Sequence, residues 1–246
     1  MRFVRRLVRV LGWIVGALVV LVGVLWLVLR HSMPETKEGP AADELARAIQ
    51  RSVDSDAWAR TGAVRWKFAR NHHLWDRRRN LDRVRFGEYE VLLDIGRRDG
   101  RAFKGGQPVE GDAARALVEK AYAAWINDSF WLNPIPKYFD DGVTRSVAEV
   151  GGRPALLVQY GKGGLTPGDR YLWLTGDGDR PRAWRLWVSV IPIKGIEISW
   201  EGWTTLATGA AIATEHRALG FNMGPISELA GAATLGELEP GPDPFR

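Results

Sequence analysis

An apolar run near the N-terminus most constrains what this chain can fold into. Residues Val10 to Leu29 form a stretch of twenty positions without a charge. At about 1.5 Å rise per residue, a helix of this length spans the roughly 30 Å hydrocarbon core of a bilayer. The sequence therefore predicts a basic stub and one transmembrane anchor within residues 1–30.

The charges that flank this run predict its orientation. Four arginines precede it, at positions Arg2, Arg5, Arg6 and Arg9. Because positive charge favours the cytoplasmic side, we expect the N-terminus in the cytoplasm and the remaining chain to be exported. A cleaved signal peptide is the competing interpretation, but its apolar core usually has about 7–15 residues and is followed by small residues. The segment LRHSMPE offers no such cleavage site.

Charge and cysteine content exclude several function classes. The formal net charge of +5 resides in the first thirty residues, since the other 29 basic side chains balance 29 acidic ones. The charge therefore indicates an anchor rather than a nucleic-acid-binding surface. The chain has no cysteine, which excludes Cys-ligated zinc, iron–sulfur clusters, thiol catalysis and lipoprotein acylation. These features predict a single-pass protein of a bacterial inner membrane with a periplasmic domain, no cofactor and no nucleic-acid partner.

Beyond the anchor, the sequence predicts a linker at residues 31–42, an exported domain at 43–238 and a proline-rich tail at 239–246. Asp43 to Val53 and Asp112 to Trp125 carry apolar residues at helical spacing. Most other segments alternate apolar and polar residues, which predicts about ten or eleven antiparallel strands. The predicted fold class is α+β, with one strongly curved antiparallel sheet and helices on one face. An up-and-down barrel or a two-sheet sandwich has the same pattern.

The exported part is rich in tryptophan. Ten of the twelve tryptophans lie outside the apolar run. Indole combines a wide apolar surface with one polar edge, so this surplus predicts an aromatic-lined cavity for an acyl chain; a thick aromatic core is the alternative. Trp184 and Trp187 must point to opposite faces of one strand, so one apolar layer cannot hold both. The predicted cavity wall consists of Trp66, Phe68, Tyr89, Val91, Trp173, Trp184, Leu186, Ile198 and Trp200, with Phe130 and Trp131 at its mouth.

Signals for catalysis are weak. His72 and His73 suit a metal or acid–base site by type, but no H-x-x-x-H or HExxH pattern occurs, and we interpret NHHLWDRRRN as a solvated or capping loop. Ser129 and Ser189 lack a G-x-S-x-G elbow. The segment GKGGLTPGD lacks the Lys-Ser/Thr of a P-loop and predicts an Ω-like loop. The sequence thus predicts no catalytic residue and no metal site.

Three segments carry a resemblance to a known group: AYAAWINDSFWLNPIPKYFDDGVTR, GGLTPGDRYLWL and WVSVIPIKGIEISWEGW. With the order of helix, strands, inserted helix and further strands, they resemble the LolA/LolB superfamily of periplasmic lipoprotein carriers, over roughly Asp43 to Leu238. The resemblance implies an incomplete curved barrel with helices as a lid over an apolar cavity for acyl chains. It assigns no individual residue. The anchor departs from the soluble carriers and implies local receipt, storage or sensing of an apolar ligand.

Three functions follow from these features. The leading hypothesis is a non-enzymatic, membrane-anchored periplasmic domain that binds lipid or lipoprotein acyl chains through burial of apolar area. The alternative is a protein-interaction or sensory module of an envelope complex, which an exposed patch containing Trp187 or Trp203 would favour. A hydrolase that uses Ser129 or the region of His72 and His73 is the least favoured.

Overall fold

The computed structural model describes residues 2–246, with side chains from residue 11 onward. Its helices are α1 (Arg2–Leu29), α2 (Pro40–Ser52), α3 (Ser55–Arg60), α4 (Gly111–Leu132) and α5 (Leu235–Leu238), and short 3-10 helices cover Ile135–Phe139 and Asp177–Asp179. The segment Leu11–Leu29 of α1 is long and apolar enough to cross a membrane, and none of it is buried in the protein. The expected anchor-length helix is therefore present.

A seven-stranded antiparallel sheet comprises most of the first half of the domain. Its strands are β1 (Ala63–Phe68), β2 (Asn71–Asp76), β3 (Leu81–Phe86), β4 (Tyr89–Asp94), β5 (Asp99–Lys104), β6 (Gln107–Val109) and, from the far end of the chain, β16 (Ile226–Ala232). The order is β16-β1-β2-β3-β4-β5-β6. Consecutive strands pair as simple hairpins, and only the β16–β1 pair joins distant parts of the sequence.

A five-stranded antiparallel sheet follows α4. Its strands are β7 (Val143–Val150), β8 (Arg153–Tyr160), β9 (Arg170–Thr175), β10 (Pro181–Trp187) and β11 (Ile196–Ser199), in the order β11-β10-β9-β8-β7. Two small hairpins pair β12 (Thr204–Thr205) with β13 (Ala211–Ile212), and β14 (Arg217–Ala218) with β15 (Phe221–Asn222). The predicted α+β class with antiparallel pairing is confirmed, and neither sheet closes into a barrel. The strands are divided between sheets where the sequence predicts one, because alternation does not encode which edges pair.

Helix α4 connects the two sheets. The helix predicted over Asp112 to Trp125 continues to Leu132, where the residue pair Asn133-Pro134 stops it. Its first half packs on β3, β4 and β5 through side chains that include Val118 and Ala121. The additional turns carry the C-terminal end of α4 to the five-stranded sheet.

The segment predicted as a linker lies against the five-stranded sheet. His31 donates its backbone N–H to Lys194 O at 3.2 Å, and Lys37 forms a bridge with Val147 on the edge strand β7. From β11 to β7 the sheet is four inter-strand spacings wide, which is roughly 19 Å at about 4.8 Å per spacing. The six residues from His31 to Lys37 reach about 20 Å when extended, so this segment is long enough to cross the sheet. Between them, Met33 packs on the sheet face opposite Trp173. Residues 31–37 therefore cross the outer face of the sheet.

Candidate functional site

A cavity of about 530 Å³ lies between the end of α4 and the inner face of the five-stranded sheet. Small-molecule sites typically have roughly 300–1,000 Å³. Seven aromatic residues line it: Tyr122, Trp125, Phe130, Trp131, Tyr160, Tyr171 and Trp184. Aliphatic side chains, among them Ile126, Leu186 and Val188, form most of the remaining wall, and charged side chains line one part of it: Lys137, Asp140, Asp141, Lys162 and Asp169. The cavity therefore suits an apolar chain better than a polar substrate.

Phe130 occupies the centre of the aromatic wall. Its ring centre lies 5.2 Å from that of Tyr160, 5.0 Å from Tyr171 and 5.9 Å from Trp184. Offset and edge-on arrangements at these separations are the favourable ones for aromatic pairs. The adjacency of β8, β9 and β10 places their inward rings side by side, and the last turns of α4 bring Phe130 against them. The wall is thus held by packing from two elements.

Three lining side chains carry buried polar atoms that have no partner among the described groups. They are Tyr160 Oη, Trp125 Nε1 and Trp184 Nε1. Burial raises the pKa of Tyr160 well above its usual value, so its hydroxyl stays neutral and can donate. A buried donor without a partner costs about 1–3 kcal/mol. These donors are enclosed within the wall, so a ligand acceptor such as an ester carbonyl or a carboxylate reaches them only if neighbouring side chains move.

Two loops form the rim of the cavity. Residues 161–169 connect β8 to β9, and residues 188–195 connect β10 to β11. The buried carboxylate of Asp169 joins them, because it accepts from Ser189 N–H at 2.9 Å and from Thr166 Oγ1 at 2.5 Å. The rim is therefore cross-linked by hydrogen bonds at the point where the loops meet.

The tips of both loops expose apolar side chains beside the cavity. Leu165 is 56% exposed and Val190 is 74% exposed, and both line the cavity. In the first loop, Gly163 and Gly164 have φ values of 73° and 66°, a left-handed conformation that other residues rarely adopt. The Ω-like loop predicted from the sequence is therefore one wall of the entrance.

Four of the residues predicted for the cavity and its mouth line it: Phe130, Trp131, Trp184 and Leu186. Three others, Trp173, Ile198 and Trp200, are buried in the core beneath the wall. The ring centres of Trp173 and Trp200 each lie 4.9 Å from that of Trp184, so both support the wall without reaching the cavity.

The four remaining predicted residues belong to the seven-stranded sheet. Trp66 and Phe68 pack in a core cluster with Trp58 of α3, and Tyr89 and Val91 pack beneath α4. The structure does not bring them to the cavity. Strand alternation identified them as inward-facing, but the same alternation occurs in both sheets and does not tell which sheet borders a cavity.

Several lining residues that the sequence did not predict as part of the site lie on one face of helix α4. Tyr122, Trp125, Ile126 and Ser129 follow one another on one face of α4, most of them at spacings of three or four residues, and all line the cavity. Tyr160 and Tyr171 were missed because they lie near the ends of their strands, beside the loop between them.

A second buried cluster lies in the seven-stranded sheet. His73 Nδ1 is 2.7 Å from Asp82 Oδ2, and His73 Nε2 is 2.9 Å from Asp128 Oδ2. Asn71 also donates to Asp128, at 2.7 Å. Burial alone lowers the pKa of His73, but the charges and hydrogen bonds of the two carboxylates outweigh it and raise the pKa to about 9. This triad fixes Asp128 of α4 to the sheet.

The loop predicted for NHHLWDRRRN is wrong over its first half. Both histidines lie on strand β2, where His72 faces outward near Glu228 at 3.3 Å and His73 faces inward. Only the residues after Asp76 form a turn. The run of arginines gave the whole segment a polar composition, although Leu74 and Trp75 continue the strand.

The described side chains do not bring Ser129 to a histidine. Ser129 Oγ donates to Ile126 O at 3.4 Å, within its own helix, and no hydrogen bond joins it to a histidine among residues 11–246. Within the same range no three histidine or carboxylate side chains form a metal-binding group.

Comparison with known proteins found no matching protein-family model and no matching curated protein. The resemblance to the lipoprotein carriers therefore stays a prediction. Function is inferred from the cavity, its unpartnered donors and its rim.

Proposed function

We propose that this protein binds the acyl chain of a lipid or of an acylated protein in the aromatic cavity, without catalysis, while α1 anchors it in a membrane. The observation that carries the proposal is the cavity of about 530 Å³ with seven aromatic residues in its wall. Each buried methylene contributes about 0.8 kcal/mol, so six of them contribute about 5 kcal/mol before the costs of binding. In this proposal the side chains that enclose the unpartnered donors of Tyr160 and Trp184 move when the chain binds, and the donors then bind its polar end.

We infer further that the membrane is a bacterial inner membrane, with the N-terminus in the cytoplasm and the domain in the periplasm. The arginines before Val10 support this orientation. The arrangement of α2 and α4 supports the curved sheet that the LolA/LolB resemblance implies. Helix α2 packs on β7 and β8, and α4 packs on β3 to β5 and reaches β10 through Trp131. In our proposal the two sheets form one curved layer, with both helices on its inner face.

One observation favours the alternative of a protein-interaction module. Leu219, Phe221 and Met223, on and beside the β14–β15 hairpin, are 58%, 72% and 56% exposed. The two tryptophans that the sequence suggested for such a patch are half-buried instead. Trp187 packs on the outer face of the five-stranded sheet, and the Trp203 ring centre lies 6.3 Å from that of Trp200. A partner protein would therefore bind at the hairpin.

A cavity-blocking substitution tests the leading proposal. Ile126→Trp adds a bulky side chain inside the cavity, whereas Ala116→Trp adds the same side chain on an exposed position of the same helix. We expect the full-length protein in detergent micelles to bind a fluorescent fatty acid, and Ile126→Trp to weaken that binding at least tenfold. Ala116→Trp should change it less than twofold.

Two results would contradict the proposal. One is the absence of fatty-acid binding by the wild-type protein together with no co-purified lipid in native mass spectrometry. The other is equal binding by the wild-type and Ile126→Trp proteins, which would place the bound chain outside the cavity. Binding of a protein partner that is lost in Phe221→Ser, with no lipid bound, would favour the alternative.

A further inference from the structure

The membrane helix and the rim of the cavity are joined within two residues. Helix α1 ends at Leu29, and His31 donates its backbone N–H to Lys194 O at 3.2 Å while its Nδ1 lies 2.9 Å from Gly195 O. A Cβ at Gly195 would collide with the His31 backbone, so the two chains touch there. Loop 188–195, which forms half of the rim, is therefore attached directly to the end of α1.

This attachment sets the height of the rim relative to a bilayer. The apolar stretch Leu11–Leu29 has 19 residues. As a helix it spans about 28 Å, which the roughly 30 Å hydrocarbon core accommodates. The headgroup layer adds roughly 5–8 Å on each side. His31 and the loop bound to it therefore lie within the headgroup layer when α1 spans the membrane.

Both rim loops lie at the same end of the five-stranded sheet. Gln159 near the end of β8 pairs with Arg170 at the start of β9, which pairs in turn with Trp187 at the end of β10. Leu186 pairs with Ile196 at the start of β11. Loops 161–169 and 188–195 thus leave the sheet side by side, at the end where His31 is bound.

The two ends of this sheet differ in chemistry. The loops at the end bound to His31 expose Leu165 and Val190, at 56% and 74%, and the same end carries the exposed ion pair of Lys162 and Asp141. The turns at the opposite end consist of Gly151-Gly152 and the acidic segment Asp177–Asp179. No large apolar side chain is exposed in the described turns of the opposite end, so apolar tips distinguish the end bound to His31, as expected of a domain that touches a membrane with that end.

We propose that loops 161–169 and 188–195 insert Leu165 and Val190 into the headgroup layer of the membrane that α1 crosses, so that the cavity takes a bilayer amphiphile directly from that leaflet. The identity of the ligand rests on the proposed function, whereas the contact of the loops with lipid does not. The continuity of loop 188–195 with the end of α1 favours the bilayer over a protein partner as the occupant of this surface.

Single-site labelling of the full-length protein tests the contact. The chain has no cysteine, so Val190→Cys and Leu165→Cys each accept one environment-sensitive fluorophore, and Asp177→Cys and Gly151→Cys provide matched labels at the opposite end. In phosphatidylglycerol–phosphatidylethanolamine nanodiscs that contain a nitroxide-headgroup lipid, we expect quenching at positions 190 and 165 to exceed that at 177 and 151 at least threefold. Equal quenching at all four positions would overturn the proposal. Quenching between labelled copies without lipid quenching would overturn it too, and would assign the loops to contact between copies.

A second variant tests the attachment to α1. Gly195→Ala should push the His31 backbone away and reduce lipid quenching at a labelled Val190→Cys at least twofold. Gly151→Ala is the matched control, since Gly151 also has a positive φ, 59°, but has open space within 4 Å of the point where a Cβ would lie. Unchanged quenching in Gly195→Ala would show that loop 188–195 does not depend on this contact for its position.

Transfer kinetics separate this inference from the proposed function. In the double variant Leu165→Asp/Val190→Asp, we expect uptake of a fluorescent phospholipid from vesicles to slow at least tenfold, by a larger factor than the loss of affinity for a fluorescent fatty acid presented in micelles, because both side chains also line the cavity. Fatty-acid binding with no lipid quenching of the loops would leave the proposed function standing and refute the docking. Lipid quenching of the loops with no ligand bound would support the docking and refute the proposed function.

Discussion

Both sheets bury a histidine, but the surroundings of the two rings differ. In the seven-stranded sheet, His73 is hydrogen-bonded through both nitrogens, to Asp82 and to Asp128. Beside the five-stranded sheet, His216 Nδ1 lies 2.7 Å from Gly224 O, and its Nε2 has no partner among the described groups. The rings of Trp131 and Trp200 lie 5.2 and 4.6 Å from the His216 ring.

These surroundings shift the two pKa values in opposite directions. Carboxylate charge overcomes burial and raises the pKa of His73 to about 9, whereas burial lowers the pKa of His216 to about 4. Near neutral pH the first ring is therefore charged and the second is neutral. The triad of His73, Asp82 and Asp128 therefore joins α4 to the seven-stranded sheet through charged groups, whereas the wall of the neighbouring candidate ligand site is mostly aromatic and aliphatic.

Removing one carboxylate of the triad is expected to have the largest effect. Asp82→Ala leaves the His73 imidazolium with one partner in a fully buried site, which costs about 3–5 kcal/mol of unfolding free energy. Urea unfolding of the full-length protein in micelles, followed by tryptophan fluorescence, measures it. Asp94→Ala, at a partly exposed position that pairs with Arg97 at 3.8 Å and accepts the Arg97 backbone N–H at 3.0 Å, should cost about 1 kcal/mol. A loss in Asp82→Ala no larger than in Asp94→Ala would mean that the triad does not stabilise the fold.

Alkaline pH should weaken the same triad. The pKa of His73 is raised in the folded state, to about 9, so its contribution is complete below pH 6.5 and is lost as pH rises through 9. The loss amounts to up to about 3 kcal/mol. The unfolding free energies of the wild type and of His73→Gln are measured at pH 6, 8 and 10. Because lysines and tyrosines titrate in both proteins, the difference between the two pH profiles gives the contribution of His73. Parallel pH profiles for the two proteins would contradict the prediction.

Acid pH should act on the other histidine. The pKa of His216 is lowered in the folded state, so below pH 6.5 the unfolded chain binds a proton that the folded protein does not. Stability should therefore fall as pH drops from 6.5 towards 4, by about 2 kcal/mol at pH 5. His216→Gln retains a donor for Gly224 O and cannot titrate, so its stability should decline less over this range. An equal decline would attribute the acid sensitivity to the carboxylates.

The sequence predicts local structure better than it predicts the site. Alternation at Tyr89 to Ile95 and helical spacing at Asp43 to Val53 depend on neighbouring residues, and both elements are present within a few residues of the expected bounds. The triad joins His73 to Asp82 and to Asp128, which lies 55 residues away. No periodicity encodes such a pairing.

The candidate site shows the same limit. Aromatic surplus and strand alternation point to Phe130, Trp131, Trp184 and Leu186, and these four residues line the cavity. Which of the other inward rings border open space depends on how α4 ends and how two sheets meet. The attachment of His31 to Gly195 was missed for a related reason, since a polar segment with two prolines is typical of a linker until its partner is known.

The smallest expected effect comes from comparing two tyrosines, Tyr138 in the filled core and Tyr160 in the cavity wall. Tyr138 and Tyr160 each have a buried hydroxyl without a partner among the described groups, but only Tyr160 lines the cavity. Because neither hydroxyl makes a hydrogen bond in the protein, Tyr138→Phe and Tyr160→Phe should each remove a buried unpartnered donor and raise the unfolding free energy, by about 1–3 kcal/mol. A ligand acceptor bound by Tyr160 adds one hydrogen bond, so Tyr160→Phe should weaken binding of a fluorescent fatty acid by about threefold to tenfold. Tyr138→Phe should change it less than twofold. Equal affinities in the two variants would mean that the polar end of the ligand does not reach Tyr160, and that burial of the apolar chain alone provides the affinity.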